Sequence, residues 1–118
     1  MHNRIRMRIS NRKAVNYLLK RGAKEIWLKP HTKRHDRIYT QDGRYTALDL
    51  FGLFDGIARM HDRLYFLQIK TNAWAKEQPL LNWLNLVKGV FILSINVKQN
   101  KEGSWSVHER TYYEGGKL

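Results

Sequence analysis

The stretch from Asp49 to Lys70 constrains the fold more than any other part of this 118-residue chain. It reads DLFGLFDGIARMHDRLYFLQIK, in which two apolar runs flank a polar turn at residues 59–63. Two short apolar runs around a polar turn predict a β-hairpin. Because side chains alternate between the faces of a strand, Gln68 and Lys70 are expected on one face. The hairpin returns them to the neighbourhood of Asp55.

This hairpin face gathers an acid, an amide and an ammonium group. Such groups are costly to bury in an apolar core unless they have partners, because each loses its hydration. The cluster of Asp55, Gln68 and Lys70 is therefore predicted to hold a metal ion or a phosphate. The alternative interpretation is purely structural: both Asp49 and Asp55 lie close to glycines and can be simple turn acids.

The charge of the chain predicts a polyanionic partner. The formal net charge is +12, from 22 Lys and Arg against 10 Asp and Glu, and the first 24 residues contain eight basic residues and no acid. Nucleic acid is the first expectation, although an anionic membrane surface or an acidic protein also fits the charge. Basic charge alone does not predict sequence specificity, because phosphate contacts set affinity and do not read bases.

Several protein classes are excluded or disfavoured by composition. The chain contains no cysteine, which rules out a disulfide framework and zinc bound by thiolates. No apolar run approaches the roughly 20 residues of a membrane span, and no apolar core of a signal peptide follows the arginine-rich start. A single soluble, cytoplasmic domain over residues 1–118 is expected.

The N-terminal residues favour two different elements. Residues 1–9 alternate arginine with Ile or Met, which is strand periodicity and fits an edge strand, an arm exchanged in a dimer, or a disordered basic arm. Ser10 is predicted to cap a helix that runs to Arg21 and stops at Gly22.

The rest of the chain predicts alternating strands and helices. A loop at residues 31–37 follows the first strand and offers donors for phosphate contact. His31 and His35 are not expected to hold zinc, because no third ligand accompanies them. The later elements are predicted from turn signals, periodicity and apolar runs. They are a strand at 25–29, a hairpin around Asp42-Gly43, a helix at 79–88, a buried strand at 90–97, a return strand at 104–113 and a loose tail at 114–118.

This element order, with Asp55 followed by Gln68-Ile69-Lys70, resembles the PD-(D/E)XK nuclease superfamily. Within it the chain is most similar to the small archaeal-type Holliday junction resolvases and their phage relatives, over about residues 10–97. The diagnostic part is Phe54-Asp55 together with Gln68-Ile69-Lys70. The resemblance implies an α/β fold with a restriction-endonuclease-like αβββαβ core, a central mixed sheet flanked by helices.

The resemblance also implies roles for individual residues. Asp55 stands at the family's Asp as a direct Mg²⁺ ligand, with Mn²⁺ as a substitute. Gln68 stands at the family's Asp/Glu, Ile69 offers its backbone carbonyl to the metal, and Lys70 orients or activates the attacking water. The chain departs from the family pattern in three places: Phe54 replaces a proline, Gln68 replaces an acid, and the first helix carries no acid.

Asp49 is predicted to supply the missing acid. It precedes Asp55 by six residues, an even offset that points both side chains to one face of an unbroken strand. A bulge at Gly52 would break this parity. The opposite assignment, with Asp49 as the family acid and Asp55 as the accessory one, remains open.

The expected function is Mg²⁺-dependent hydrolysis of DNA by an endonuclease that selects branched or junction DNA and acts as a homodimer, as in DNA recombination. The first alternative is a nucleic-acid-binding protein with a degenerate, inactive nuclease site, and the second is a small basic RNA-associated protein without an active site. The residues predicted to contact nucleic acid are Arg4, Arg6, Arg8, Arg12, Lys13, Lys33 and Arg34.

Overall fold

The computed structural model describes residues 3–30, 35–114 and 116–118. They form an α/β domain with two helices, a mixed six-stranded sheet and a separate two-stranded hairpin. No helix in these ranges is long and apolar enough to cross a membrane. In chain order the elements are α1 Asn3–Lys20, β1 Ala23–Leu28, β2 Asp36–Thr40, β3 Gly43–Ala47, β4 Gly56–Met60, β5 Arg63–Thr71, α2 Glu77–Leu84, β6 Phe91–Gln99, β7 Trp105–Tyr113 and β8 Gly116–Lys117.

The six-stranded sheet has the order β1-β4-β5-β6-β7-β8. The central pair β5–β6 is parallel, whereas the other neighbouring pairs are antiparallel. Parallel neighbours need a crossover connection, and here α2 lies within that connection. The predicted α/β class with a mixed central sheet is confirmed.

Helix α1 contradicts the strand or arm predicted for residues 1–9, because it begins at Asn3. Ser10 is consequently no N-cap; it lies inside the helix, buried, with its hydroxyl hydrogen-bonded to Thr71 Oγ1. Once a helix is nucleated, each added residue costs little, and Arg and Met are good helix formers. The helix ends as predicted before Gly22, whose φ is +106°.

The sheet carries a hydrophobic core on each face. On one face α1 packs Ala14 and Leu18 against β5 and β6, and on the other α2 packs Leu80 and Leu84. Residues 91–97 of β6 are all buried, as expected for a strand covered on both sides. The predicted buried strand is confirmed.

Both predicted hairpins are present. The β2–β3 hairpin closes at Gly43, which pairs with Thr40. In the β4–β5 hairpin Met60 pairs with Arg63, so the loop consists of His61 and Asp62, with φ of 54° and 60°. Positive φ at both loop residues is the geometry of a type I′ turn, which matches the twist of the flanking strands.

Two predictions near the end of the chain need correction. Helix α2 ends at Leu84 and does not continue to residue 88, although Pro79 lies in its first turn as predicted. The predicted loose tail instead adds strand β8 to the sheet edge, and Leu118 N donates to Thr111 O.

Candidate functional site

A row of polar residues crosses the middle of the sheet at the C-terminal half of β5. Gln68 is in register with Ser94 on β6, which is in register with Arg110 on β7. On the other side of β5, Asp55 N donates to Leu67 O, and Asp55 O accepts from Lys29 N at 2.9 Å. Five strands or strand extensions therefore contribute one polar position each.

Asp55 immediately precedes β4, and its carboxylate is turned toward β5. Its Oδ2 accepts a hydrogen bond from Ile69 N at 2.7 Å. Burial raises the pKa of Asp55 from 3.8 to about 6, although the Ile69 N–H lowers it; the Asp49 carboxylate also raises this pKa, and Lys29 and Lys70 lower it. A cation beside the carboxylate would stabilise its charged form.

The sequence predicts Asp49 and Asp55 on one unbroken strand. In the structure the chain reverses between them, and this reversal brings the two residues together. Leu50 and Phe54 form an isolated antiparallel bridge, and between them Phe51 and Gly52 have φ of 54° and 74°. Gly52 is thus part of a tight turn, where its positive φ is needed, and is not a bulge. Asp49 and Asp55 flank the bridge on either side and interact electrostatically.

Gln68 and Lys70 project from β5 on the face that α2 covers. Gln68 Nε2 donates to Leu53 O at 2.6 Å, so the amide oxygen Oε1 is directed away from that carbonyl. In a strand the N–H and C=O of one residue point to the same edge, so the Ile69 carbonyl also points toward Asp55. Lys70 is exposed on the neighbouring position.

These residues offer oxygen ligands of the type that Mg²⁺ prefers: two carboxylates, an amide oxygen and a backbone carbonyl. The donor set fits a hard divalent cation, but its charge is limited to Asp49 and Asp55. Among the residues that the structure describes, no three His, Cys, Asp or Glu side chains are grouped to hold an ion.

Three residues of the row were not predicted from the sequence. Lys29 Nζ lies 3.4 Å from Asp49 Oδ1. Ser94 is 1 % exposed, and its hydroxyl has no hydrogen-bond partner among the residues that the structure describes. Arg110 lies 4.0 Å above the ring of Trp74. A serine within the apolar run VFILSINV was the available signal, because a buried polar group needs a partner.

The predicted basic contacts fall partly inside the described chain. Arg8 and Arg12 are exposed one helical turn apart on α1, and Lys13 is half-buried. Helix α1 runs antiparallel to β5, since Ser10 contacts Thr71 and His61 Nε2 donates to Arg21 O at 3.0 Å. The part of α1 before Ser10 therefore lies beyond the end of β5 that carries Lys70. The side chains of Arg4, Arg6, Lys33 and Arg34 lie outside the described residues.

Comparison with known proteins gives no match to a family model, a curated protein or a solved structure. What this site can do follows from its own geometry and charge.

Proposed function

We propose that this chain is a metal-dependent endodeoxyribonuclease that hydrolyses phosphodiester bonds in branched DNA, on a restriction-endonuclease-like αβββαβ core. The observation that carries the proposal is the partly buried Asp55 carboxylate, which accepts the N–H of Ile69, between Gln68 and Lys70, and interacts with Asp49 and Lys70. A carboxylate whose pKa is raised by burial, and which lies next to further oxygen ligands and a cation, is typical of a functional site.

A Mg²⁺ ion, with Mn²⁺ as a substitute, would be held by Asp55, Asp49, the Gln68 amide oxygen and the Ile69 carbonyl. When bound, such an ion lowers the pKa of its water and offsets charge on the phosphoryl oxygens. Gln68 contributes an oxygen without charge, so the second negative charge comes from Asp49.

The neighbouring residues position these groups. The Ile69 N–H fixes the orientation of the Asp55 carboxylate through its 2.7 Å hydrogen bond. Lys29 pairs with Asp49 and limits its movement. The exposed Lys70 ammonium is available to donate to a phosphate oxygen or to the attacking water, which stabilises charge that develops during hydrolysis.

The experiment that tests this proposal is a cleavage panel with Mg²⁺ over four-way junction, flap, nicked and plain duplex DNA. We expect Asp55→Asn to lower cleavage at least about a hundredfold, because removing one group that stabilises the transition state costs roughly 10²–10³ in rate. DNA binding should change little. Asp62→Asn, the same chemical change in the β4–β5 turn, is the matched control. Undiminished cleavage by Asp55→Asn contradicts the proposal.

A homodimer is part of the same proposal. A four-way junction presents strands related by two-fold symmetry, so one active site for each of two strands requires two copies of the chain. Sedimentation of the protein alone and with junction DNA measures this stoichiometry; one copy on each junction contradicts it.

The second candidate is a nucleic-acid-binding protein with an inactive nuclease site. It is favoured by the replacement of an acid by Gln68 and by the ion pair between Lys29 and Asp49, which already neutralises one of the two carboxylates. Calorimetric titration with Mn²⁺ separates the candidates. A heat of binding that is present in the unmodified protein and lost in Asp55→Asn supports the enzyme. No heat of binding in the unmodified protein supports the binding protein.

A further inference from the structure

A cleft of about 400 Å³ opens directly beside Asp49. It lies between the end of β1, the β2–β3 hairpin and the turn that follows Asp49, and its lining includes Trp27, Tyr39 and Phe51. Three separate segments thus each contribute an aromatic residue. The volume is in the usual range for small-molecule sites, roughly 300–1,000 Å³.

The aromatic rings around this cleft are unusually exposed. The exposed fraction is 52 % for Trp27, 71 % for Tyr39 and 42 % for Phe51. Single exposed apolar residues are ordinary, whereas a group of them around one cavity marks a binding surface. Phe51 also keeps a φ of 54°, which bulky residues rarely adopt, and its ring stacks on Trp83 at 5.9 Å between centroids. The surrounding structure thus holds one wall of the cleft in a strained conformation.

The charged residues of the cleft indicate which ligand these rings fit. Lys29 and Arg37 line the cavity together with Asp36 and Asp49. The two cations balance the two carboxylates, so the lining suits an uncharged flat base with hydrogen-bond donors and acceptors better than it suits a phosphate. Stacking of a base on an aromatic side chain is favourable and tolerates any sequence, because every base has a flat π-face. Lys29 and Asp49 both line the cleft and form an ion pair, and the Asp49 carboxylate interacts with that of Asp55, so the cleft lies next to the Asp55 site.

We propose that this cleft binds an unpaired nucleobase of the DNA strand whose phosphate lies at Asp55. The inference rests on the proposed function and adds a substrate class, DNA with unpaired nucleotides next to the cleaved bond. A base inside a duplex is already stacked and cannot enter the cleft without being extruded, which costs a few kcal/mol. Flaps, gaps and the centre of an open junction offer such a base; a continuous duplex does not.

The test is a binding measurement in EDTA, by fluorescence anisotropy, with three labelled DNAs. They are a blunt duplex, the same duplex with a short oligothymidine flap, and the same duplex with an abasic flap of equal length. We expect the thymidine flap to bind about tenfold more tightly than the abasic flap, which corresponds to roughly 1.4 kcal/mol of stacking. Trp27→Ala and Tyr39→Ala should abolish this difference and leave binding of the blunt duplex unchanged.

Two further variants distinguish stacking from a structural effect. Trp27→Phe keeps an aromatic face and should retain most of the flap preference. Leu86→Ala removes a side chain that is 82 % exposed outside the cleft and should leave all three affinities unchanged. The proposal is overturned if the unmodified protein binds thymidine and abasic flaps equally, or if Trp27→Ala weakens all three DNAs alike.

Failure of this inference and failure of the proposed function are separable, because EDTA prevents cleavage during the measurement. A preserved flap preference without any nicking in Mg²⁺ contradicts only the nuclease. Nicking in Mg²⁺ without a flap preference contradicts only the cleft.

Discussion

The surroundings of Asp55 in the folded protein disfavour the charged form of its carboxylate. Its pKa is raised from 3.8 to about 6, chiefly by burial. Between these two values the folded state binds more protons than the unfolded state, so the free energy of unfolding falls as the pH rises through this window. Above pH 6 the loss is complete. It amounts to at most about 3 kcal/mol, since one pKa unit corresponds to roughly 1.4 kcal/mol, and partial exposure reduces it.

Asp55→Asn should therefore stabilise the metal-free protein above pH 6, by about 1–3 kcal/mol. The amide oxygen can still accept the Ile69 N–H, while the buried charge is gone. Urea denaturation in EDTA at several pH values measures the difference, which should shrink as the pH falls from about 6 toward the ordinary pKa of 3.8. Asp62→Asn is the control, because it makes the same chemical change at an exposed position of the β4–β5 turn. A variant that is less stable at every pH contradicts the assignment of the buried charge.

A divalent cation should reverse this ranking of stability. A ligand that binds only the folded state stabilises it by about 2.7 kcal/mol at a concentration of a hundred times its Kd. Mg²⁺ or Mn²⁺ should thus raise the melting temperature of the unmodified protein and leave that of Asp55→Asn unchanged. Thermal unfolding with and without the ion measures the effect. Equal shifts in both proteins would assign the ion to another place.

At the scale of elements, the contact between β1 and β4 depends on Gly56. A Cβ atom built there would lie 2.2 Å from the backbone oxygen of Trp27 and 2.6 Å from Leu28 Cδ2. Because a backbone oxygen cannot rotate away, Gly56→Ala should separate the two strands beside Asp55. We expect a loss at or above the upper end of the roughly 1–3 kcal/mol typical of overpacking, measured by urea denaturation.

Gly89→Asn is the control for this substitution. A Cβ atom at Gly89 meets nothing within 4 Å, and asparagine tolerates its φ of +80°. Its effect on stability should be small. If Gly56→Ala lowers the free energy of unfolding no more than the control does, the close contact between β1 and β4 at Gly56 does not limit stability.

The elements that the sequence predicts well are those with local signals. The Asp42-Gly43 turn and the apolar run of β6 each determine their structure within a few residues. The first turns of α1 were misassigned because arginines at positions 4, 6 and 8 alternate like a strand, while Arg8 and Arg12 also have helical spacing. The helix also contacts the rest of the protein, for example through the Ser10–Thr71 hydrogen bond. Such contacts between distant residues cannot be predicted from local periodicity.

The residues of the candidate site also differ in how well the sequence predicts their proximity. Asp55, Gln68 and Lys70 belong to one hairpin, so their proximity follows from local alternation. Lys29 and Ser94 reach the site through strands that are distant in sequence. Their position depends on the register of β1 on β4 and of β6 on β5, which no short motif encodes.

At the scale of the whole molecule, the excess of positive charge should dominate DNA affinity. The logarithm of the binding constant should fall linearly with the logarithm of salt concentration, with a slope of about −0.9 for each phosphate contact. Arg8→Ala and Arg12→Ala should each make the slope less negative by about 1 and weaken all DNA sequences alike. Anisotropy titrations over a salt series measure this.

Arg59→Ala is the control for these arginine variants, since its guanidinium is exposed but paired with Glu25 at 2.7 Å. It should change the slope less than either helix variant. An unchanged slope for Arg8→Ala and Arg12→Ala would remove α1 from the DNA-binding surface.

The parallel pairing of β5 with β6 has a consequence for the order of folding. An antiparallel hairpin forms from neighbouring residues, whereas a parallel pair waits for its crossover, and contacts between distant residues form more slowly. Asp55 and Gln68 can meet as soon as the β4–β5 hairpin closes, but Ser94 and Arg110 join them only after α2 has docked. The polar row should therefore assemble in two stages, with the residues of the hairpin meeting before those of β6 and β7 join them.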